Sequence, residues 1–185
     1  SVVSSAVRAP SLVDAGLVGL PNAGKSTFIN AVTNAQAKVG EYAFTTTRPQ
    51  LGVVRHKGQE FVVADIPGLI EGAAEGAGIG DRFLGHIERC RVLLHLVDAN
   101  DEDVRTSFRV VRDELEAYGA GLVEKPFVLA LNKIDMLDDE LIAALSAELE
   151  EASGQPVIPI SGAAGVGLDW VLDRLLEEIG PGGQV

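Results

Sequence analysis

Gly19, Gly24, Lys25 and Ser26 stand in the stretch GLVGLPNAGKSTF at the spacing GxxxxGK[ST], between an apolar run and a segment of helical period. That spacing suits the holding of a phosphorylated anion. Glycines let backbone N–H groups converge on phosphate oxygens without side chains in the way, and the unpaired N–H groups of a helix start add partial positive charge. Lys25 is placed to reach the β and γ phosphates of a nucleotide. Ser26 can offer its hydroxyl to Mg²⁺, a hard ion that takes oxygen ligands and keeps several waters. Pro21, Asn22, Ala23 and Thr27 complete the wall of the loop. The pattern arises by chance on the order of once in a hundred chains of this length. A plain glycine-rich turn is the bland reading, and it leaves the strand-to-helix context unexplained.

A phosphate loop does not choose a base. Asn132, Lys133 and Asp135 in LNKID follow the apolar run FVLALN. A carboxylate at Asp135 can accept from the N1–H and exocyclic amine of guanine, whereas adenine presents an acceptor there and leaves the charge unpaired, which costs about 1–3 kcal/mol or more. GTP is therefore favoured over ATP. The competing reading makes Asn132 a strand terminator and Asp135 a cap of the next helix. A third base contact is expected from backbone N–H groups of the loop SGAAG, at Ser161, Gly162 and Ala163. In ADIPG, Asp65 ends an apolar run, where its carboxylate can hold Mg²⁺ directly or through water, with Gly68 approaching the γ-phosphate by its backbone. DxxG alone carries almost no information; its weight comes from lying between the other two motifs.

These residues need a scaffold that brings several strand ends together. The chain has 185 residues, 46% hydrophobic, enough for one sizeable core. One cysteine, Cys90, excludes an internal disulfide, and no apolar run approaches a membrane span, so a cytoplasmic protein is expected. A net charge of −12 argues against nonspecific DNA or RNA binding. Short apolar runs alternate with helical-period segments. QLGVVRH and EFVVADI around Lys57 and Gly58 predict an antiparallel hairpin; RVLLHLVDA and FVLALN read as central buried strands, and PVIPIS as a further strand. Helices are expected over 25–35, 81–89, 137–152 and 168–179, and Val104, Phe108, Val111, Leu115 and Tyr118 form the buried face of another. The result is an α/β three-layer sandwich, its sheet mostly parallel with one antiparallel hairpin strand. Residues 1–13 read as a lead-in, 14–180 as the domain and 181–185 as a frayed tail.

DIPGLIEGAAEGAGIGDRFLGHIERCRVLLHLVDA and EYAFTTTRPQLGVV resemble the two switch regions of the Obg family of P-loop GTPases, and the resemblance runs over about 14–180. It implies a P-loop NTPase fold and a Mg²⁺-dependent switch that binds and slowly hydrolyses GTP. It further implies that the nucleotide state governs association with the large ribosomal subunit and a growth or stress response. Thr46 is then the switch residue closing on Mg²⁺ and the γ-phosphate, with Thr45 and Thr47 as weaker alternatives. The family's glycine-rich N-terminal domain and C-terminal extension are not in this sequence, which reads as an excised domain. Gly162 departs from the family's alanine. Leu69 stands where Ras-like proteins have a water-orienting glutamine, and leucine cannot do that. Asn22 is read either as a turn residue or as a ligand of K⁺, as in similar potassium-activated GTPases. Glu71 is a weaker candidate for orienting water. The alternative function is a nucleotide-sensing module with negligible hydrolysis; an ATPase is the third reading. The segment 67–80, with Gly68, Gly72, Gly76, Gly78 and Gly80, should order on the γ-phosphate.

Other residues are assigned structural roles. His95 is expected as a hydrogen-bonded core residue, Cys90 as a small buried group and Trp170 as packing for the last helix. His56 and His86 have no ligand partners at helical spacing. Arg105, Arg109 and Arg112 share a helix face read as solvated and ion-paired with Asp113 and Glu116.

Overall fold

The computed structural model describes residues 13–33, 50–66 and 88–180. Within them a six-stranded sheet has the order β2-β3-β1-β4-β5-β6. The strands are β1 (Ala15–Val18), β2 (Leu51–His56), β3 (Gln59–Asp65), β4 (Val92–Asp98), β5 (Phe127–Asn132) and β6 (Val157–Pro159). Only β2 and β3 pair antiparallel, and the remaining neighbours are parallel. The expected hairpin is therefore present, turning at Lys57 and Gly58, both with positive φ as a two-residue hairpin turn requires.

Four α-helices lie in the described residues: α1 (Lys25–Val32), α2 (Val104–Tyr118), α3 (Asp139–Ser153) and α4 (Leu168–Ile179). Helix α1 stops at Val32, before the expected 35, and Thr33 is extended and bridges to Val54. The helix expected at 81–89 falls mostly outside the described residues.

Strand β4 shows why the fold has three layers. All seven of its residues are buried, and they alternate between two cores. Val92, Leu94 and Leu96 join Phe28 and Ile29 of α1 and Val171, Leu172 and Leu175 of α4. Leu93 faces Val111 and Leu115 of α2, and Val97 faces Phe108 of α2 and Leu149 of α3. A strand covered on both faces reads as a nearly continuous apolar run, and in β4 only His95 and the terminal Asp98 interrupt it.

Polar residues lock the edges. Asp173 of α4 bonds His56 Nε2 at 2.8 Å and Lys57 Nζ at 2.8 Å, pinning the hairpin turn to the last helix. Arg91 donates to the Ile179 carbonyl at 2.7 Å, meeting the negative end of α4.

Three structural expectations are corrected. His95 is buried and stacks on Phe108 at 5.1 Å, but neither ring nitrogen has a hydrogen-bond partner among the described residues, because apolar strands and a phenyl ring surround it. Trp170 does not pack the last helix: its side chain is 66% exposed, since Val171, Leu172 and Leu175 occupy the inward face. The α2 arginines do not form one ion-paired face. Arg105 pairs across to Glu148 and Glu151 of α3, and Arg112 turns inward over the Phe127 ring at 4.3 Å and donates to the Val123 carbonyl.

Cys90 is buried as expected, and burial pushes its thiol up to about 11, away from nucleophile chemistry. No described helix is long and apolar enough to cross a membrane.

Candidate functional site

In the sheet β1 lies between β3 and β4; the chain passes from β1 through α1 to the β2–β3 hairpin on one side and then from β3 to β4 on the other, so the C-terminal ends of β1, β4 and β5 border one crevice. The phosphate loop leaves β1, Asp98 ends β4, and Asn132 ends β5 opposite Asp98 in register.

The loop is shaped by close approach. Gly24 caps α1 at φ 95°, a left-handed conformation, and a Cβ there would sit 2.5 Å from Asn132 Nδ2. A Cβ on Gly19 would meet the Leu96 carbonyl at 2.7 Å. Both positions therefore exclude a side chain for reasons beyond turn propensity. Unlike α2 and α3, which are capped by Asp103 and Asp138, α1 has no side-chain cap on its first N–H groups. No side-chain cap competes there with an anion. Lys25 Nζ donates to the carbonyls of Gly19 at 3.0 Å and Leu20 at 3.2 Å, which holds the ammonium over the loop. Ser26 is exposed in the first turn of α1.

Asn132 joins the loop to the base side. It is buried, donates from Nδ2 to the Ala23 carbonyl at 2.8 Å, and accepts at Oδ1 from the N–H groups of Lys133 at 2.9 Å and Gly162 at 3.0 Å. Asp135 lies in a short 3-10 turn, Ile134–Met136, where its Oδ1 accepts from Ser161 Oγ at 2.9 Å. The helix that follows is capped by Asp138, so Asp135 is not its cap. A cleft of about 260 Å³ lies between Gly24, Thr27, Lys133, Asp135, Met136 and Ala163. Met136 is 86% exposed at its rim.

The expected trio of base-facing N–H groups is reduced to one. The Ser161 N–H goes to the Val166 carbonyl and that of Gly162 to Asn132, which leaves the N–H of Ala163 without a hydrogen-bond partner among the described residues. A Cβ on Gly162 would meet Phe28 and Thr27 only at 3.6 Å, so the family's alanine would fit at this position.

Asp65 ends β3, and its Oδ1 is buried with no hydrogen-bond partner among the described residues. Burial pushes its carboxyl above the usual carboxylate range, against the opposing charge of Lys25. The orphaned buried carboxylate oxygen is what fits a cation here, and it supports the Mg²⁺ expectation. Among the described residues no group of three or more His, Cys, Asp or Glu could hold a metal by itself. Such an ion would draw its other oxygens from a hydroxyl, water and phosphate. Thr46, Gly68, Leu69 and Glu71 lie outside the described residues, as does His86.

Sequence reasoning missed a cluster on the far wall of the loop. Asn22 Nδ2 donates to Asp98 at 3.1 Å and to Asp101 at 2.7 Å. Lys133 Nζ pairs with Asp98 at 3.0 Å and donates to the Asn22 carbonyl. Burial alone would push the Asp98 carboxyl up; hydrogen bonds from Asn100 and Lys133, with the charge of Lys133, outweigh it and hold it below the usual range. The available signal was the pair of aspartates in VDAND, at and just beyond the end of a nearly continuous apolar run.

The chain is similar to two curated proteins named GTPase Obg. That of Sphingopyxis alaskensis is 80% identical over 174 residues, 94% of this chain and 50% of the relative. That of Rhizorhabdus wittichii is 67% identical over 175 residues, 95% of this chain and 51% of the relative. The chain thus spans about half the length of these relatives, and the resemblance to the Obg family is borne out. In fold it is similar to the G domain of the T. maritima FeoB iron transporter, with a TM-score of 0.65 at 23% identity, over 91% of this chain and 99% of that one. The model of the family described as 50S ribosome-binding GTPase matches residues 14–133, more than half of the sequence, and the chain belongs to that family.

Proposed function

We propose that this chain binds GTP and GDP with Mg²⁺ and hydrolyses GTP slowly to GDP and phosphate, acting as a switch in large ribosomal subunit assembly. One observation carries the reading: Asn132 ties the phosphate loop to the base-side loops, so the uncapped start of α1 and the Asp135 carboxylate address opposite ends of a single ligand. The N–H groups of 23–27 and the Lys25 ammonium bind the β and γ phosphates and stabilise the charge that grows on them as water attacks. Asp135 and the Ala163 N–H read guanine, and Lys133 walls the base. Ser26, Asp65 and Thr46 hold Mg²⁺, whose charge neutralises the phosphate oxygens, and Gly68 contacts the γ-phosphate. Asn22 supplies a ligand for K⁺, which adds positive charge beside the phosphates. The family description favours the ribosomal partner, and the domains present in longer relatives supply much of that contact.

Leu69 in place of a glutamine favours the second reading, a nucleotide-sensing module that hardly hydrolyses. Single-turnover phosphate release in potassium buffer, with Lys25→Ala as control, separates the two. Release well above the control is expected. Nucleotide binding without release above it would leave the sensing module as the function.

A further inference from the structure

The Asn22 side chain faces two carboxylates. Its Nδ2 donates to Asp98 Oδ2 at 3.1 Å and to Asp101 Oδ1 at 2.7 Å. An amide nitrogen carries two hydrogens and an ionised carboxylate only accepts, so both hydrogens are committed. The reversed orientation would set the amide oxygen against two anions, and the chemistry of the neighbours therefore fixes which atom is which. Asn22 Oδ1 faces away from both carboxylates, and among the described residues it has no hydrogen-bond partner.

Both carboxylates are themselves held in place. Asp98 is buried at the end of β4, accepts from the Asn100 N–H at 2.8 Å, and pairs with Lys133 at 3.0 Å. Asp101 accepts from Ser107 Oγ of α2 at 2.8 Å. Asn22 is thus gripped by two anchored groups, one on the strand and one braced by a helix. Donation from both hydrogens to anions also polarises the amide and makes its oxygen a better cation ligand than that of a free amide.

We propose that Asp98 and Asp101 are positioning residues that fix the Asn22 amide so that Oδ1, and not the NH₂ group, is offered to a monovalent cation of potassium size beside the nucleotide phosphates. The proposal rests on the K⁺ reading above and adds what selects the ligand atom. Without the two carboxylates the amide can turn its NH₂ outward, a face that repels a cation. Because Asp98 also holds Lys133, the same carboxylate braces the base-side loop and the cation ligand.

The test compares wild type, Asp101→Ala, Asp101→Asn, Ser107→Ala and Asn22→Ala. The first readout is the half-saturating K⁺ concentration for single-turnover hydrolysis, titrated against Na⁺ at constant ionic strength. The second needs no turnover: the difference in thermal midpoint between K⁺ and Na⁺ for the chain bound to a nonhydrolysable GTP analogue and Mg²⁺. Wild type should show a higher midpoint in K⁺. Loss of a hydrogen bond to a charged group should raise the half-saturating K⁺ about tenfold in Asp101→Ala, and shrink the midpoint difference. Asp101→Asn keeps an oxygen that can accept from Asn22 and should recover most of both. Ser107→Ala frees the Asp101 carboxylate and should shift both in the same direction by less.

A purely structural role for Asp101 would lower the midpoint equally in both salts and leave the half-saturating concentration unchanged, and that result would overturn the proposal. If Asn22→Ala loses the K⁺ response while Asp101→Ala keeps it, the K⁺ reading stands and the positioning role is wrong. A wild type indifferent to K⁺ would overturn both.

Discussion

Asn132 and Ala23 are 109 residues apart in sequence and meet through one hydrogen bond of 2.8 Å, from the Asn132 amide to the Ala23 carbonyl. The same amide accepts from Gly162, so three loops from three parts of the chain share one buried side chain. Asn132→Ala leaves the Gly162 and Lys133 N–H groups without their acceptor, and each unsatisfied buried donor costs about 1–3 kcal/mol. Urea denaturation should show a loss of about 2–4 kcal/mol, and titration calorimetry a GDP affinity weaker by at least tenfold. A variant as stable as wild type would show that the loops are held by other contacts.

Asp135 accepts from Ser161 Oγ through one carboxylate oxygen. Asp135→Asn replaces an acceptor-only group by an amide with donors on one side, which no longer matches the two donors of guanine but suits the carbonyl oxygen that xanthine carries in place of the exocyclic amine. GDP binding should weaken by about two to three orders of magnitude, and XDP should compete better than GDP for the variant. An unchanged preference for GDP in a competition assay would remove Asp135 from base recognition.

Asp65 keeps an orphaned carboxylate oxygen below the surface. Asp65→Asn removes a charge whose burial is unfavourable, so the nucleotide-free chain should gain about 1 kcal/mol in thermal or urea unfolding at neutral pH. Mg²⁺ should then strengthen binding of a nonhydrolysable GTP analogue far less than in wild type. Greater stability together with weaker Mg²⁺ linkage is the expected pair; an unchanged Mg²⁺ dependence would separate Asp65 from the metal.

Burial, followed by the charges of Arg112 and Lys25, lowers the His95 pKa from 6.5 to about 3. The unfolded chain takes up this proton near pH 6.5 and the folded chain only near 3, so between those values the unfolded state binds more protons and stability falls as the pH falls. Above pH 6.5 both states are neutral at this residue and it adds no slope. His95→Leu should flatten the acid limb of the stability curve by a few kcal/mol, with little change at pH 8. Urea midpoints across pH 4–8 would measure it, and parallel curves for the two proteins would rule out His95 as the source.

Much of this architecture is legible in the sequence, for reasons that are local. Helix α4 occupies 168–179 as its apolar spacing predicts, and the two-residue turn at Lys57 and Gly58 fixes the register of β2 against β3. The places of the two motifs are legible too, the glycine turn between β1 and α1 and Asn132 at the end of β5, because each follows an apolar run that the sequence marks as a strand. What sequence does not disclose is contact at long range. Asn22 lies 76 and 79 residues from its two carboxylates, so its reading as a free turn residue or ligand could not include what orients it. The Gly162 N–H, expected from the sequence to face the base, instead donates to Asn132, 30 residues away. Arg112 has the spacing of a surface residue, yet the Phe127 ring and the Val123 carbonyl draw it inward. Trp170 follows the opposite course, its bulk suggesting burial while the helix phase turns it out.

That outward indole is the only tryptophan in 185 residues. It borders a groove of about 560 Å³ with Val166 and His56, a region that shares no residue with the phosphate loop or the base motif. All indole emission from this protein therefore originates at one water-washed position. A blue shift or brightening on mixing with another molecule would report coverage of that face without any label, and an unchanged spectrum during nucleotide titration would show that the two regions keep separate company.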